Sequence, residues 1–172
     1  MVTTKKRPTE SNLALLREAQ TQALTMPNTA MAVTIDIGDS KDIHPRNKQE
    51  VARRLWLAAQ KPGYNNIISF SGPKLASVTM KNNSKIVVKF DTLDRLYIKG
   101  PLLLGFEIAG ADKVYYQAEA HIVSLNQVLL SSINVPEPIS ICYAWANNSP
   151  ANLFDSKDLP AIPFRYGEIA RK

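Results

Sequence analysis

The chain has 172 residues, of which 45% are hydrophobic and 21% are charged, and its formal net charge is +6. This length and composition suit a domain with its own core and exclude a wholly disordered chain. One cysteine and two histidines exclude an internal disulfide and argue against a structural zinc site. The basic residues crowd both ends and are otherwise scattered among acids, so we expect no nucleic-acid partner.

The sequence shows no signal for a membrane. No apolar run approaches the length of a membrane span, and the N-terminus lacks the apolar core of a signal peptide. We therefore expect no membrane partner, and the compartment stays open. Residues 1–10 are polar and basic, which predicts a flexible tail.

A first helix is predicted to begin at Ser11 or Asn12, either of which can cap it, and to end before the turn at Met26-Pro27-Asn28. Its apolar residues recur at helical spacing, and they are Leu13, Leu16, Ala19, Ala23 and Leu24. The run Ala30 to Ile37, AMAVTIDI, follows and is almost continuously apolar, which is typical of a strand buried on both faces of a parallel sheet.

A second helix is predicted after the loop, because Asn47 and Glu50 have the spacing of a capping box. Lys61-Pro62-Gly63 is expected to end it. Its predicted apolar face is Val51, Leu55, Ala58 and Ala59, and its polar face is Arg53, Arg54 and Gln60. Residues 11–64 are thus predicted to form a helix-strand-helix piece, the C-terminal part of an α/β layer. In such sheets, reactive groups gather beyond the carboxyl ends of the strands.

From Ile67 onward, the hydrophobic period changes to two, which indicates short antiparallel strands and a β-sandwich-like region over residues 65–172. Three runs alternate in this way, namely Ile86, Val88 and Phe90; Ala118, Ala120 and Ile122; and Ile139, Ile141, Tyr143 and Trp145, the last four on one strand face. The proline-rich segment 149–165 is predicted to be ordered coil on the surface. His121 is interpreted as a surface or cross-strand residue.

The loop between the predicted strand and the second helix carries Asp39, Ser40, Asp42 and His44. An aspartate and a histidine this close together can supply the base of a serine hydrolase and the carboxylate that orients it. Gly38-Asp39-Ser40 resembles the start of the nucleophile block of GDSL-type esterases. We reject Ser40 as nucleophile, because in those enzymes the nucleophile and the base come from opposite ends of a domain.

The stretch MAVTIDIGDSKDIHPRNKQEVARRL resembles the last block of the sialate O-acetylesterases, a branch of the SGNH hydrolases. The resemblance continues through LREAQ, PNTAMAVT, LGFEIAGADKVYYQAEAHI, YAWANNSPANLF and LPAIPFR, from Leu16 to Arg165. Two departures are visible: Ala30 replaces a usual glycine, and Cys142 replaces an expected arginine. The implied fold is the end of an SGNH α/β/α layer followed by the β-rich region.

The resemblance implies serine-hydrolase chemistry on O-acetylated sugars such as sialic acid, with no metal or organic cofactor. By the family's motif, His44 is the base and Asp42 its orienting carboxylate, with Asp39 as a second candidate. Family members are often exported. The nucleophile and oxyanion blocks of the family lie well upstream of this block, and no Gly-Gln-Ser occurs between Met1 and Ala30.

We therefore expect a base-bearing C-terminal part, inactive by itself, that needs a complementing N-terminal chain or segment. The alternative is a noncatalytic sugar-binding or interaction module. In that alternative, Tyr115, Tyr116, Tyr143 and Trp145 would stack on a ligand.

Overall fold

The structure is a computed structural model that describes residues 11–42, 44, 46–64, 69–82 and 84–167, with the backbone alone for 61–64. The predicted tail at residues 1–10 lies outside the described residues. Neither described helix is long and apolar enough to cross a membrane.

Both helices begin where side-chain caps were predicted. Helix α1 runs over Asn12–Gln22 and continues as a 3₁₀ turn over Ala23–Thr25, and the Ser11 hydroxyl accepts the Ala14 N–H at 3.0 Å. Helix α2 runs over Lys48–Tyr64 after the cap residue Asn47. The predicted stop at Lys61-Pro62-Gly63 is wrong, because the helix continues through Pro62, whose missing N–H removes one backbone hydrogen bond without ending it.

The predicted apolar face of α1 is not the buried one, and that of α2 is buried only in part, at Ala58. In α1 the buried residue is Ala14, whereas Leu13 and Leu16 are 49% and 54% exposed. In α2 the buried residues include Arg54, and Leu55 is 55% exposed. The inner face of α1 carries arginine because the β-structure offers it carbonyl acceptors: Arg17 donates to the main chain of Ala144 and Ala146. Tertiary hydrogen bonding therefore decides which helix face turns inward.

The strand predicted over residues 30–37 does not form. These residues are assigned as coil and turn, and they pair with no strand in the described part of the chain. Their polar main-chain groups bond elsewhere: the Val33 carbonyl accepts from Arg54, and Ile37 N–H donates to the Thr34 carbonyl at 3.3 Å. A strand needs a neighbouring strand for its hydrogen bonds, and the described residues place none beside this segment.

The β-rich region contains ten strands among the described residues. They are β1 (Lys74–Lys81), β2 (Lys85–Asp91), β3 (Leu96–Ile98), β4 (Phe106–Ala109), β5 (Tyr115–Gln117), β6 (Glu119–Ser124), β7 (Gln127–Ser131), β8 (Ser140–Tyr143), β9 (Leu153–Asp155) and β10 (Phe164–Tyr166). Two four-stranded sheets have the orders β1-β2-β7-β6 and β10-β8-β4-β5, and β3 pairs with β9. The pairings within these three sheets are antiparallel.

One hydrophobic core joins the two larger sheets, as expected for a sandwich. It includes Val88 and Leu130 from one sheet, and Ile108 and Ile141 from the other. Alternation along β2 is as predicted, with Ile86, Val88 and Phe90 fully buried. The period-two reading thus gave the correct architecture for this part of the chain.

Two details of the β-rich prediction are wrong. Segment 149–165 is not surface coil, since it forms β9 and the start of β10, and residues 159–164 are buried. Trp145 does not share a face with Tyr143. Strand β8 ends at Tyr143 because Ala144 takes a φ of +53°, and the turned chain places Trp145 beside Cys142 under α1.

Candidate active site

The loop between residue 36 and helix α2 carries the predicted catalytic residues, and two of them are brought together. His44 Nδ1 lies 3.2 Å from Asp42 Oδ1, and the His44 backbone N–H donates to the same oxygen with an N···O distance of 2.8 Å. The second contact is an aspartate turn, in which the carboxylate binds the main chain two residues on. Sequence proximity therefore produces the Asp42–His44 pair locally.

The pairing also sets the tautomer of the imidazole. A carboxylate that is ionised can only accept hydrogen bonds, so this contact favours the tautomer with the proton on His44 Nδ1. In the neutral ring, Nε2 is then left as an acceptor. The His44 side chain is 79% exposed, and that of Asp42 is 43% exposed, so the ring is open to a group brought from outside the described residues. The contact matches the geometry expected from the sequence for Asp42 and His44, whose catalytic roles stay a prediction.

Asp39 and Ser40 do not join this pair in the structure. Asp39 Oδ1 accepts the Lys41 N–H at 2.9 Å, which forms a separate aspartate turn earlier in the loop. Ser40 is exposed, and within the described residues it has no hydrogen bond to the His44 ring. Of the two aspartates left open by the sequence, Asp42 is the one that contacts the histidine.

A buried arginine lies behind the loop. Arg54 is 3% exposed and donates from Nη1 and Nη2 to the two carboxylate oxygens of Asp36, at 2.6 and 2.8 Å. Its Nη1 also donates to the Val33 carbonyl at 2.7 Å, and its Nε to Glu50 Oε1 at 2.7 Å. Burial alone lowers the pKa of Arg54, and the bonds to Asp36 and Glu50 more than offset it, so the pKa is raised.

The sequence placed this arginine on the polar face of α2, opposite the face expected to pack inward, and the structure shows it buried. Two signals in the sequence point to it. Asp36 is the charged residue in an apolar run, and a charge there needs a partner. Glu50 and Arg54 also have the i,i+4 spacing of a helical ion pair.

Of the four aromatic residues in the alternative, ligand-stacking module, three are buried and the fourth, Tyr116, is partly buried. Tyr143, Tyr115 and Trp145 are 0%, 3% and 6% exposed, and Tyr116 packs against the main core. Burial raises the pKa of Tyr115 to about 12, as expected for a phenol kept from water. Among the residues that the structure describes, no group of three or more His, Cys, Asp or Glu side chains could hold a metal ion.

Comparisons with known proteins agree with the resemblance found in the sequence. No protein-family model matches the sequence. The fold is similar to that of a carbohydrate acetylesterase from Xanthomonas citri, with a TM-score of 0.88 and 38% identity, over 92% of this chain and 37% of that chain. Sialate O-acetylesterases from Mus musculus and Homo sapiens are 49% and 47% identical over 53 residues, which is 28% of this chain and 10% of each relative.

In fold and sequence, the chain is thus similar to a carbohydrate acetylesterase. The matches to curated sequences make the likeness more specific. The chain is sialate O-acetylesterase-like and represents a partial domain. The resemblance predicted from the loop and its flanking blocks is therefore confirmed. The chain spans about a third of the structural neighbour and a tenth of the curated relatives.

Proposed function

We propose that this chain is the base-bearing part of a carbohydrate O-acetylesterase of the sialate type. The observation that carries the proposal is the contact between Asp42 and His44, on an open loop of a chain whose relatives are acetylesterases. Asp42 holds the ring so that Nε2 can accept a proton. His44 is the general base, and Asp42 is its orienting carboxylate, with Asp39 ranked below it.

The proposed chemistry uses a serine from the remainder of the hydrolase domain. His44 Nε2 accepts the serine proton as the serine oxygen attacks the acetyl carbonyl, and the tetrahedral oxyanion forms. When the intermediate collapses, the bond to the sugar oxygen breaks, and His44 returns the proton to that oxygen. Water, deprotonated by His44, then hydrolyses the acetyl-serine and releases acetate.

The remainder of the domain, in the same polypeptide or in a complementing N-terminal chain, would cover surfaces that are apolar here. Leu13 and Leu16 on α1, and Leu55 and Trp56 on α2, are each about half exposed or more. The apolar run 30–37 has no sheet to join among the described residues. Under this proposal, residues 11–64 complete an SGNH α/β/α layer, and residues 65–172 form the β-rich domain attached to it.

The test is a chimera in which this chain replaces the matching 37% of the Xanthomonas citri acetylesterase. We expect the chimera to hydrolyse an aryl acetate and an O-acetylated sialic acid, whereas the 172-residue chain alone shows little turnover. In the chimera, His44→Ala should lower kcat at least about 1,000-fold, and Asp42→Asn at least about tenfold. His121→Ala is the matched control, because His121 is the other histidine and lies exposed on β6.

Other outcomes would change the assignments. If the His44→Ala chimera keeps full activity, His44 is not the base. A large loss with Asp39→Asn and none with Asp42→Asn would exchange the roles of the two aspartates. Robust esterase activity of the isolated chain that disappears with Ser40→Ala would make Ser40 the nucleophile.

A further inference from the structure

The two ends of the catalytic loop are tied to one side chain. The loop leaves the body of the protein after Asp36 and rejoins it at Lys48, where α2 begins. Arg54 binds Asp36 and the Val33 carbonyl on the entering side, and it belongs to α2 on the leaving side. A single guanidinium group therefore links the two anchors of the loop.

The geometry of this contact is restrictive. Two parallel N–H···O bonds between the guanidinium and the Asp36 carboxylate fix orientation as well as distance, which a lysine cannot do with a single ammonium. Glu50 accepts from Nε and holds the guanidinium plane from the helix side. Arg54 and Asp36 are 3% and 12% exposed, so water screens and competes with these bonds only weakly.

We propose that Arg54 is a positioning residue for His44, a role that rests on the acetylesterase function proposed above. It does not touch the reacting atoms. By holding both ends of the loop, it keeps the exposed Asp42–His44 pair at a fixed place relative to α2 and the protein body. A loop held at one end alone would let the pair move, and misplacement by about 1 Å can cost about 100-fold in rate.

The neighbouring Arg53 provides a matched control on the same helix. It also binds Glu50, at 2.8 and 2.6 Å, but its side chain is 40% exposed, and its other bond is to the Lys157 carbonyl at 3.4 Å. Both arginines thus share Glu50 as a partner, while Arg54 alone of the two binds Asp36. A change that affects Arg54 variants and spares Arg53 variants isolates the link to the loop.

The experiment follows the imidazole Cε1–H signals of the full 172-residue chain by NMR, where the two histidines give two such resonances. Asp42→Asn supplies the reference position of a His44 ring without its carboxylate. We expect Arg54→Met and Arg54→Lys to shift the His44 signal because the surroundings of the loop change, by less than the Asp42→Asn reference because the local Asp42–His44 pair remains, with the His121 signal unchanged. Arg53→Met should leave both signals in place. If Arg54→Met does not fold, Asp36→Asn tests the same link and should give the same shift.

In the chimeric enzyme, Arg54→Lys should lower kcat about 10- to 100-fold with little change in KM, since positioning and not substrate binding is lost. An Arg54→Lys chain whose His44 signal stays at the wild-type position would overturn the positioning role. So would a shift of both histidine signals together, which would mean general loss of structure. The NMR result is independent of catalysis. A fully active His44→Ala chimera would therefore refute the proposed function, but it would not refute the link between Arg54 and the loop.

Discussion

Glu50 shows how strongly two arginines can change the behaviour of one carboxyl group. Hydrogen bonds from Arg53 and Arg54 lower its pKa from the ordinary value of 4.5 to about 2, against a smaller opposite effect of burial. Both arginines reach it within one helical turn, at i+3 and i+4. The carboxylate therefore keeps its charge, and with it the support for Arg54, well into acid.

This shift predicts an acid-sensitive part of the stability. The pKa of Glu50 is depressed in the folded chain, so its stabilisation is complete above pH 4.5 and is lost as the pH falls toward 2. Glu50→Gln should lower the free energy of unfolding by about 1–3 kcal/mol at pH 7 and flatten its fall across that window. Denaturant titrations at several pH values measure both effects.

The control is Glu119→Gln, which changes an exposed glutamate on β6. It should leave the pH dependence close to that of the wild type. An unchanged slope below pH 4.5 in the Glu50→Gln variant would show that the charge network contributes nothing to folding.

Helix α2 depends on a cap that is readable from sequence and on an inner face that hydrophobic periodicity alone does not reveal. Asn47 Oδ1 accepts the Glu50 N–H at 3.1 Å, which satisfies one of the free N–H groups of the first turn. The side chain of Glu50 does not complete the predicted capping box, because it is engaged by the two arginines. Local hydrogen bonding starts the helix, and long-range ion pairing orients it.

Removing the cap should destabilise the helix without touching its packing. We expect Asn47→Ala to lower the free energy of unfolding by about 1 kcal/mol. Asn47→Ser keeps an oxygen acceptor and should lie close to the wild type. Urea unfolding followed by far-UV circular dichroism gives both values, and equal loss in the two variants would mean that the Asn47 oxygen does not act as a cap.

At the scale of the whole molecule, the β-sandwich buries its apolar residues, whereas the helical part leaves several of its own exposed. The sheets bury an extensive core, whereas the leucines at helical spacing on α1 point to solvent. Exposed apolar stripes of this kind are typical of surfaces that contact another part of a protein. This asymmetry agrees with a chain that covers about a third of its structural relative.

The exposed helix faces predict self-association of the isolated chain. Replacing Leu16 and Leu55 by serine should reduce association in sedimentation velocity and leave the unfolding transition of the β-region unchanged. Leu125→Ser, which removes a 73% exposed leucine from the turn between β6 and β7, is the control and should have little effect. If Leu125→Ser reduced self-association equally, the associating surface would not be the one on the helices.

Local signals in the sequence determined much of this protein. Caps, turns and period-two alternation depend on residues close together in the chain, and they located both helix starts and strands such as β2. The proximity of Asp42 and His44 in the sequence likewise pointed to their contact. The family resemblance rested on the same continuous blocks.

Only the tertiary structure decided the rest. The strand predicted at 30–37 lacks a neighbour, Trp145 changes faces at Ala144, and the C-terminal coil becomes strand by pairing with distant partners. Arg54 turns inward because the Asp36 carboxylate, 18 residues away in the sequence, and the Val33 carbonyl accept its hydrogen bonds. These features depend on which surfaces and charges come into contact in the folded chain. The hydrophobic periodicity along the sequence contains no information about those contacts.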